Sequence, residues 1–567
     1  MFRWKQSALF LLLVAASAVA GKEGHRAFVG VNLVPMDRPQ VIADQTVLVR
    51  DGRIVVVGDR EDTALPPGTS VIDGSGRWLM PGLVDVHVHV DDPSDLLLYL
   101  ANGVTTVVNL KGRPEHLRLR EELARGERLG PRLLSCGPFI RGHEVDTGAE
   151  VRDRVRAIVD DGYDCVKMYD RDWSAEEYDA IVDATRKARV PLIGHAPRDL
   201  GLEPVFEHGA QRIAHLEELV YATPKLDAWV EAAEALEPGT APVLDETIRA
   251  ELEELADRVA AAGLWVSATE IVIDTYALRS TEAGLAELAA RDYTRYLDPL
   301  NRRWWATRGA GPAVRFTHQV ALQYFLLEEL RRRDVPMALG TDADSTSNLL
   351  VMPGWSVHLE LEILAKAGFS AHDALRQATV NSAGFLDRPG EVGVAEGARA
   401  DLLLLATNPL EDVSHVQDIE GVMVSGRWYP RSTLEERLAE RLDRWAPIEA
   451  RVDEAEAMAA REGPVAGADR YLAIAADHPE FAKDVESLVN RIGYDLLAAK
   501  KTGKAIKVFT RNRDTFPESP NTWDSLAEAH LEAGHREQAI ELYRRALALD
   551  PNFGNAARML EELNAGN

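Results

Sequence analysis

In Asp85-Val86-His87-Val88-His89 two histidines stand two positions apart. In an extended chain such positions share a face, so both imidazoles point the same way, with Asp85 behind them as a candidate partner of a ligand. Two imidazoles at a strand end can begin a metal site, although two half-buried structural histidines would read the same. His195 closes Leu192-Ile193-Gly194-His195, His215 follows Ile213-Ala214, and Asp342 follows Ala338-Leu339-Gly340-Thr341. Each has an ordinary structural explanation alone. Together they place His, His, His and Asp at the ends of successive apolar runs, which points to one metal-binding face. Lys167 lies inside Cys165-Val166-Lys167-Met168-Tyr169. A buried ammonium must be paired or neutral, and a neutral amine is reactive. Two readings follow: a buried lysine–carboxylate pair, or a lysine carbamylated by carbon dioxide whose new carboxylate bridges two cations.

These residues need elements to position them. Apolar stretches at Leu83–His89, Val104–Asn109, Arg132–Cys136, Cys165–Tyr169, Leu192–His195, Arg212–Leu216, Trp265–Thr269 and Met337–Thr341 alternate with helical patterns. That alternation predicts an α/β fold, a (β/α)8 TIM barrel over 81–388, with the candidate ligands at strand C-termini on one face. Two long connections, 219–263 and 270–317, carry helical patterns and are expected to form lids over that face. The stretch 27–80 holds short β-rich runs, including Thr46-Val47-Leu48-Val49, the Asp51-Gly52 turn and Ile54-Val55-Val56-Val57. Similar runs recur over 389–430. Both pieces are predicted to form one composite β-sandwich into which the barrel is inserted.

Beyond 430 the pattern is helical. Placing 486–519 over 520–553 sets Ala505 on Ala539, Phe509 on Tyr543 and Pro517 on Pro551. The second copy, with Trp523, Leu526, Ala527, His530, Gly534, Ala539, Tyr543, Ala546 and Pro551, resembles a tetratricopeptide repeat. In the first copy Gly503 does not align with Gly534. Repeats are therefore predicted over 486–567, with 431–485 as a helical linker or degenerate repeat around Tyr471 and Pro479. A separable tail is expected: removal of residues after about 435 should leave metal binding intact.

Residues 27–430 resemble the amidohydrolase superfamily. Pro81-Gly82-Leu83-Val84-Asp85-Val86-His87-Val88-His89 is similar to its first-strand motif and Gly340-Thr341-Asp342-Ala343 to its eighth-strand motif. The resemblance implies two divalent metal ions; the ligands suit zinc, with manganese, iron and cobalt as the alternatives. His87, His89 and Asp342 would hold one, His195 and His215 the other, with a carbamylated Lys167 between them. It also implies hydrolysis, with Asp342 moving the proton. No glutamate follows His195 closely, as the deaminase branches would require. Glu217 and Glu218 are expected to cap the next helix or to stand behind the ligands. Lys167 with Tyr169 is similar to a prolidase-like, imidazolonepropionase-related branch that cleaves dipeptides and N-acyl amino acids. Tyr169 and His143 are then candidate substrate contacts, and Arg141 and Arg198 candidate anchors for a substrate carboxylate. For each of the four, an ordinary surface or packing role is the competing reading.

The chain has 567 residues, enough for two or three domains, and a formal net charge of -27. Such a charge disfavours nucleic acid as a partner. Arg3 and Lys5 precede an apolar Ser7–Ala20 run ending in Ala18-Val19-Ala20, a signal peptide over 1–20 that predicts export to the periplasm or medium. The run is short for a membrane anchor, which needs about 20 apolar residues. Cys136 and Cys165 are expected as buried free thiols, with pairing dependent on geometry. The favoured function is a binuclear peptidase or amidase. The alternatives are a cyclic amidohydrolase or lactonase on the same metals, and a binding protein whose repeats engage a protein partner or a second copy of the chain beside a degenerate barrel.

Overall fold

The computed structural model describes residues 24–169, 172–237, 239–307, 314–344, 351–551 and 553–565. The signal peptide expected over 1–20 lies outside them. The fold is mixed α/β with a C-terminal helical region. No helix among the described residues is long and apolar enough to cross a membrane.

The two β-rich flanks join in one hydrogen-bonded sheet of eight strands. Trp78–Pro81 pairs on one side with Arg26–Leu33 and on the other with Leu402–Leu405. The later flank thus returns to the earlier one after the whole central segment. The predicted hairpin is present, with Arg50 opposite Arg53. Both turn residues, Asp51 and Gly52, have positive φ, as a two-residue turn matching strand twist requires. Phe28, Val31, Val47, Leu79, Leu402 and Met423 are buried together on this sheet.

The central segment contains Leu83–Val88, Val104–Asn109 and Arg132–Ser135 in one parallel sheet, and Val166–Met168, Leu192–Gly194, Gln211–Ala214 and Trp265–Ser267 in another. Isolated bridges join them: Cys136 pairs with Cys165, and Ile140 with Met168. The stretch expected as an eighth strand, Met337–Thr341, does not form a continuous strand. It is extended and bonds to both neighbours, Ala338 N to the Val266 carbonyl and Asp342 N to the His87 carbonyl. Side chains of both neighbours crowd it at Gly340. A Cβ on Gly340 would stand 2.4 Å from Ser267 Oγ and 2.7 Å from His87 Cβ.

Val84, Val86, Val108, Leu134, Ile193 and Ala214 pack together with both cysteines. The cysteines form a disulfide, with Cα atoms 4.2 Å apart. Free thiols were expected because sequence cannot place two residues on adjacent strands; their parallel bridge does so. The connections 219–263 and 270–317 contain helices, including Pro224–Ala232, Glu246–Ala262, Glu270–Arg279, Glu282–Ala289 and Pro299–Thr307.

After Pro430 the helices Arg431–Glu462, Pro464–Asp477, Ala482–Ala498, Thr502–Thr515, Pro520–Glu532, Arg536–Leu549 and Gly554–Ala565 pack each on the next. Ala505, Phe509, Ala539, Tyr543 and Ala546 are buried in their core, as the repeat register predicts. Lys500 occupies the turn position that Gly534 holds in the next copy, and both have positive φ. This replaces the glycine that Gly503 failed to supply.

Candidate metal centre

The strand Leu83–Val88 is buried along its whole length, and His87 and His89 emerge at its C-terminal end. Nε2 of His87 lies 3.0 Å from Asp342 Oδ1, and Nε2 of His89 lies 2.9 Å from the same oxygen. The ligand atoms of these three residues fall within 4.8 Å of one another. Two imidazole nitrogens converging on one carboxylate oxygen form a donor set that fits a divalent cation. Asp85 does not reach a histidine ring. Its Oδ1 accepts from His87 N and Thr341 N at 3.1 Å each, and its Oδ2 accepts from the Thr341 hydroxyl at 2.6 Å. It therefore ties the backbone that carries His87 to the backbone that carries Asp342.

His195 and His215 follow the strands Leu192–Gly194 and Gln211–Ala214. The six aromatic side chains form a closed circuit by ring centroids. His89 to His87 is 5.4 Å, His87 to His215 4.5 Å, and His215 to His195 4.9 Å. His195 to Tyr169 is 4.4 Å, Tyr169 to Phe139 5.4 Å, and Phe139 to His89 6.4 Å. The structure thus gathers all four predicted histidines with Asp342. Lys167 is 1% exposed on Val166–Met168, and its charge acts on both His87 and His215. His215 and Asp342 both have positive φ, at 77° and 56°. Such strain in residues other than glycine persists where surrounding contacts enforce it, as functional sites do.

The outer nitrogens of the second pair of histidines face polar groups. His215 Nδ1 lies 2.8 Å from the Thr269 hydroxyl and His195 Nδ1 lies 3.1 Å from Glu218 Oε1. Thr269 precedes the helix Glu270–Arg279, whose first amides, Glu270 N and Ile271 N, donate to the Glu360 carboxylate at 3.1 and 2.8 Å. Thr269, Glu360 and Phe139 were not singled out from sequence. The usable signal for Thr269 was its place just past Trp265–Ser267, the same kind of place that the histidines occupy.

Burial holds His87 neutral, pushing it down to about 3, and drives His215 well below its ordinary value. Burial would raise Asp342, but the facing His87 and His89 nitrogens outweigh it and hold the carboxyl well below its usual range. Burial likewise opposes ionisation of Glu218, yet His195 and Arg198 bring it down to about 2. Behind them, burial pushes Glu217 and Glu360 up to about 8 and Glu270 well above the carboxylate range.

The predicted substrate residues divide. Tyr169 belongs to the circuit. The Arg141 guanidinium lies 5.1 Å from the Phe139 ring centroid and 5.2 Å from that of Tyr169, at the edge of the same wall. It also pairs with Glu144 at 2.9 Å. His143 is exposed and sits 3.5 Å from Asp172, outside the circuit. Arg198 is committed to Glu218 through two nitrogens and lies over Tyr221 at 4.6 Å. Glu218 is 1% exposed, so Arg198 is the charge that makes its burial tolerable.

Comparison with known proteins gives a consistent picture. Residues 78–429 match the Amidohydrolase family, and residues 520–553 match the Tetratricopeptide repeat. An adenine deaminase of Paracoccus denitrificans (strain Pd 1222) is 31% identical over 127 residues, covering 20% of this chain and 21% of that enzyme. An imidazolonepropionase of Idiomarina loihiensis is 24% identical over 408 residues, covering 66% of this chain and 89% of that enzyme. A crystal structure of a Xaa-Pro dipeptidase with bound methionine shares the fold with a TM-score of 0.53 and 17% identity, covering 72% of this chain and 100% of that one.

Proposed function

The chain belongs to the amidohydrolase family, and from that premise we propose that it is a binuclear metal-dependent hydrolase of carbon–nitrogen bonds, with substrates of the dipeptide, Xaa-Pro or N-acyl amino acid type. The observation that carries this reading is the convergence of His87 and His89 Nε2 on Asp342 Oδ1, at 3.0 and 2.9 Å, inside a circuit that also holds His195 and His215. The parallel stretches are read as a closed (β/α)8 barrel. Support comes from the Cys136–Cys165 bridge between the two sheets and from the bridges of Met337 to Val266 and of Ala343 to Val88.

In this reading His87, His89 and Asp342 hold one ion, and His195 and His215 hold a second, with zinc the ion that suits these donors. The Lys167 amine adds to carbon dioxide, forming a nitrogen–carbon bond and releasing one proton. A carbamate on Lys167 would supply the carboxylate oxygens for both ions. When bound, two such ions lower the pKa of a water between them and polarise the scissile carbonyl. Asp342 accepts the proton that the attacking water loses and returns it to the leaving nitrogen. Thr269 and Glu218 hold His215 and His195 in orientation. The wall of Phe139, Tyr169 and Arg141 faces the substrate, with Arg141 the better placed partner for a carboxylate because its own partner Glu144 is open to solvent, whereas Arg198 is engaged by the buried Glu218.

The metal donors serve a cyclic amide or a lactone equally well, so these remain the second reading. A binding protein with a degenerate barrel is disfavoured, because every expected donor type is present and the four histidines form a continuous chain of ring contacts. The repeat region offers a surface for a peptide or a second copy. The buried Cys136–Cys165 disulfide supports an exported, oxidising location. The test is a screen of metal-loaded enzyme against dipeptides, Xaa-Pro dipeptides, N-acyl amino acids and lactones. Metal-dependent release of an amine supports the proposal; hydrolysis of lactones alone contradicts it.

A further inference from the structure

Arg441 lies on the first tail helix, Arg431–Glu462, and is 4% exposed. Its Nε donates to the Tyr296 carbonyl at 2.9 Å. One terminal nitrogen donates to the Ser94 carbonyl and hydroxyl at 2.9 Å each, and the other to Asp95 Oδ1 at 2.6 Å. Asp95 is itself 5% exposed. A guanidinium so buried is held by every group it meets, and breaking such a pair is costly.

The two segments it joins both follow C-terminal ends of parallel strands, one that carries His87 and His89 and one that ends at Thr269, the partner of His215. Residues 91–95 follow His89 directly, and the excursion containing 292–307 follows Thr269. That excursion is anchored in the tail as well as in the parallel-strand core. Leu300, 1% exposed, is part of the hydrophobic core of the tail helices. Arg302 and Arg303 pair with Glu449 and Glu456 of Arg431–Glu462. A cavity of about 840 Å³ lies between the tail and these segments, lined among others by Asp91, Asp92, Asp298, Trp445 and Asp484.

We propose that Arg441 is a positioning residue through which the C-terminal helices form one wall of the substrate entrance. It holds loop 91–95 and the excursion 292–307 at a set separation. The tail is thus separable from the metal ligands, none of which Arg441 touches, but not from substrate affinity. The last point rests on the hydrolase reading; the clasp itself does not.

The experiment compares the full-length chain with Arg441→Met, which removes the donors, and Arg441→Lys, which keeps the charge. Hydrogen exchange is followed in peptides covering 91–96 and 292–300, alongside metal content and steady-state kinetics. Arg441→Met should raise exchange in both segments together, by about tenfold or more, and leave helices 482–549 protected. Metal content should match the parent, and KM should rise about tenfold with kcat within about threefold, the lysine variant falling between. Exchange unchanged in either segment, lost metal, or an unchanged KM with metal retained overturns the proposal. If the methionine variant does not fold, the lysine variant decides by the same readouts. If the parent hydrolyses nothing, the hydrolase reading fails, and the paired exchange alone decides the clasp.

Discussion

His215 Nδ1 lies 2.8 Å from the Thr269 hydroxyl, and that hydroxyl donates its single hydrogen to the Ala268 carbonyl at 2.7 Å. With that hydrogen on the carbonyl the hydroxyl accepts from His215, the tautomer that carries the proton on Nδ1 and leaves the Nε2 lone pair for a ligand. Thr269→Val removes that acceptor while keeping shape. The affinity for the second metal ion should fall about tenfold to a hundredfold, read by competition with a chelator, while Thr269→Ser stays near the parent. Equal affinity in the valine variant would show that Thr269 does not orient the histidine.

The disulfide closes a separation of 29 residues between neighbouring strands. Replacing Cys136 and Cys165 with serine should cost about 3 kcal/mol from the freed unfolded chain alone. Buried hydroxyls would add to that loss. Calorimetry should show a lower transition for the strand-rich body and an unshifted one for the tail helices. No loss of stability would mean that the pair does not form.

Asp298 caps the helix Pro299–Thr307, accepting from Leu300 N at 2.7 Å. Burial, aided by Asp484, pushes its carboxyl up to about 7. A folded pKa above the unfolded one means stability that is full below the unfolded value and lost as pH rises through about 7. Asp298→Asn keeps a capping oxygen without the charge. At pH 8 it should unfold later than the parent, by about 1 kcal/mol or a few degrees, and the difference should vanish near pH 4. A variant less stable at pH 8 would contradict this.

How far the sequence could be read differs from residue to residue. His87, His89, His195, His215 and Asp342 were readable because each ends an apolar run, and strand ends gather on one face. The repeat register was readable because Ala505, Phe509, Ala539 and Tyr543 recur at one spacing and are buried. Thr269 and Glu360 were not, since a threonine and a glutamate are common and their partners lie far away in sequence. The pairing of Arg198, a candidate anchor with a packing role as the competing reading, could not be seen because its partner Glu218 comes from another connection. Met337–Thr341 has strand composition, yet it meets its neighbours only through isolated bridges at Met337 and Ala343. Arg441 gave no signal at all. An arginine in an amphipathic helix looks solvated until Asp95 and Tyr296 are seen around it.

The central claim is that Lys167 bridges two ions. The most direct measurement counts metal per chain and seeks a carbamate carbon signal after supplying 13C-bicarbonate, in the parent and in Lys167→Ala. The account predicts about two equivalents of divalent metal and one carbamate signal in the parent. In Lys167→Ala the signal should be absent, bridging lost, and activity partly restored by a short carboxylic acid. A parent protein with well under one equivalent of metal and no carbamate signal, or a Lys167→Ala protein with both ions and full activity, would contradict it.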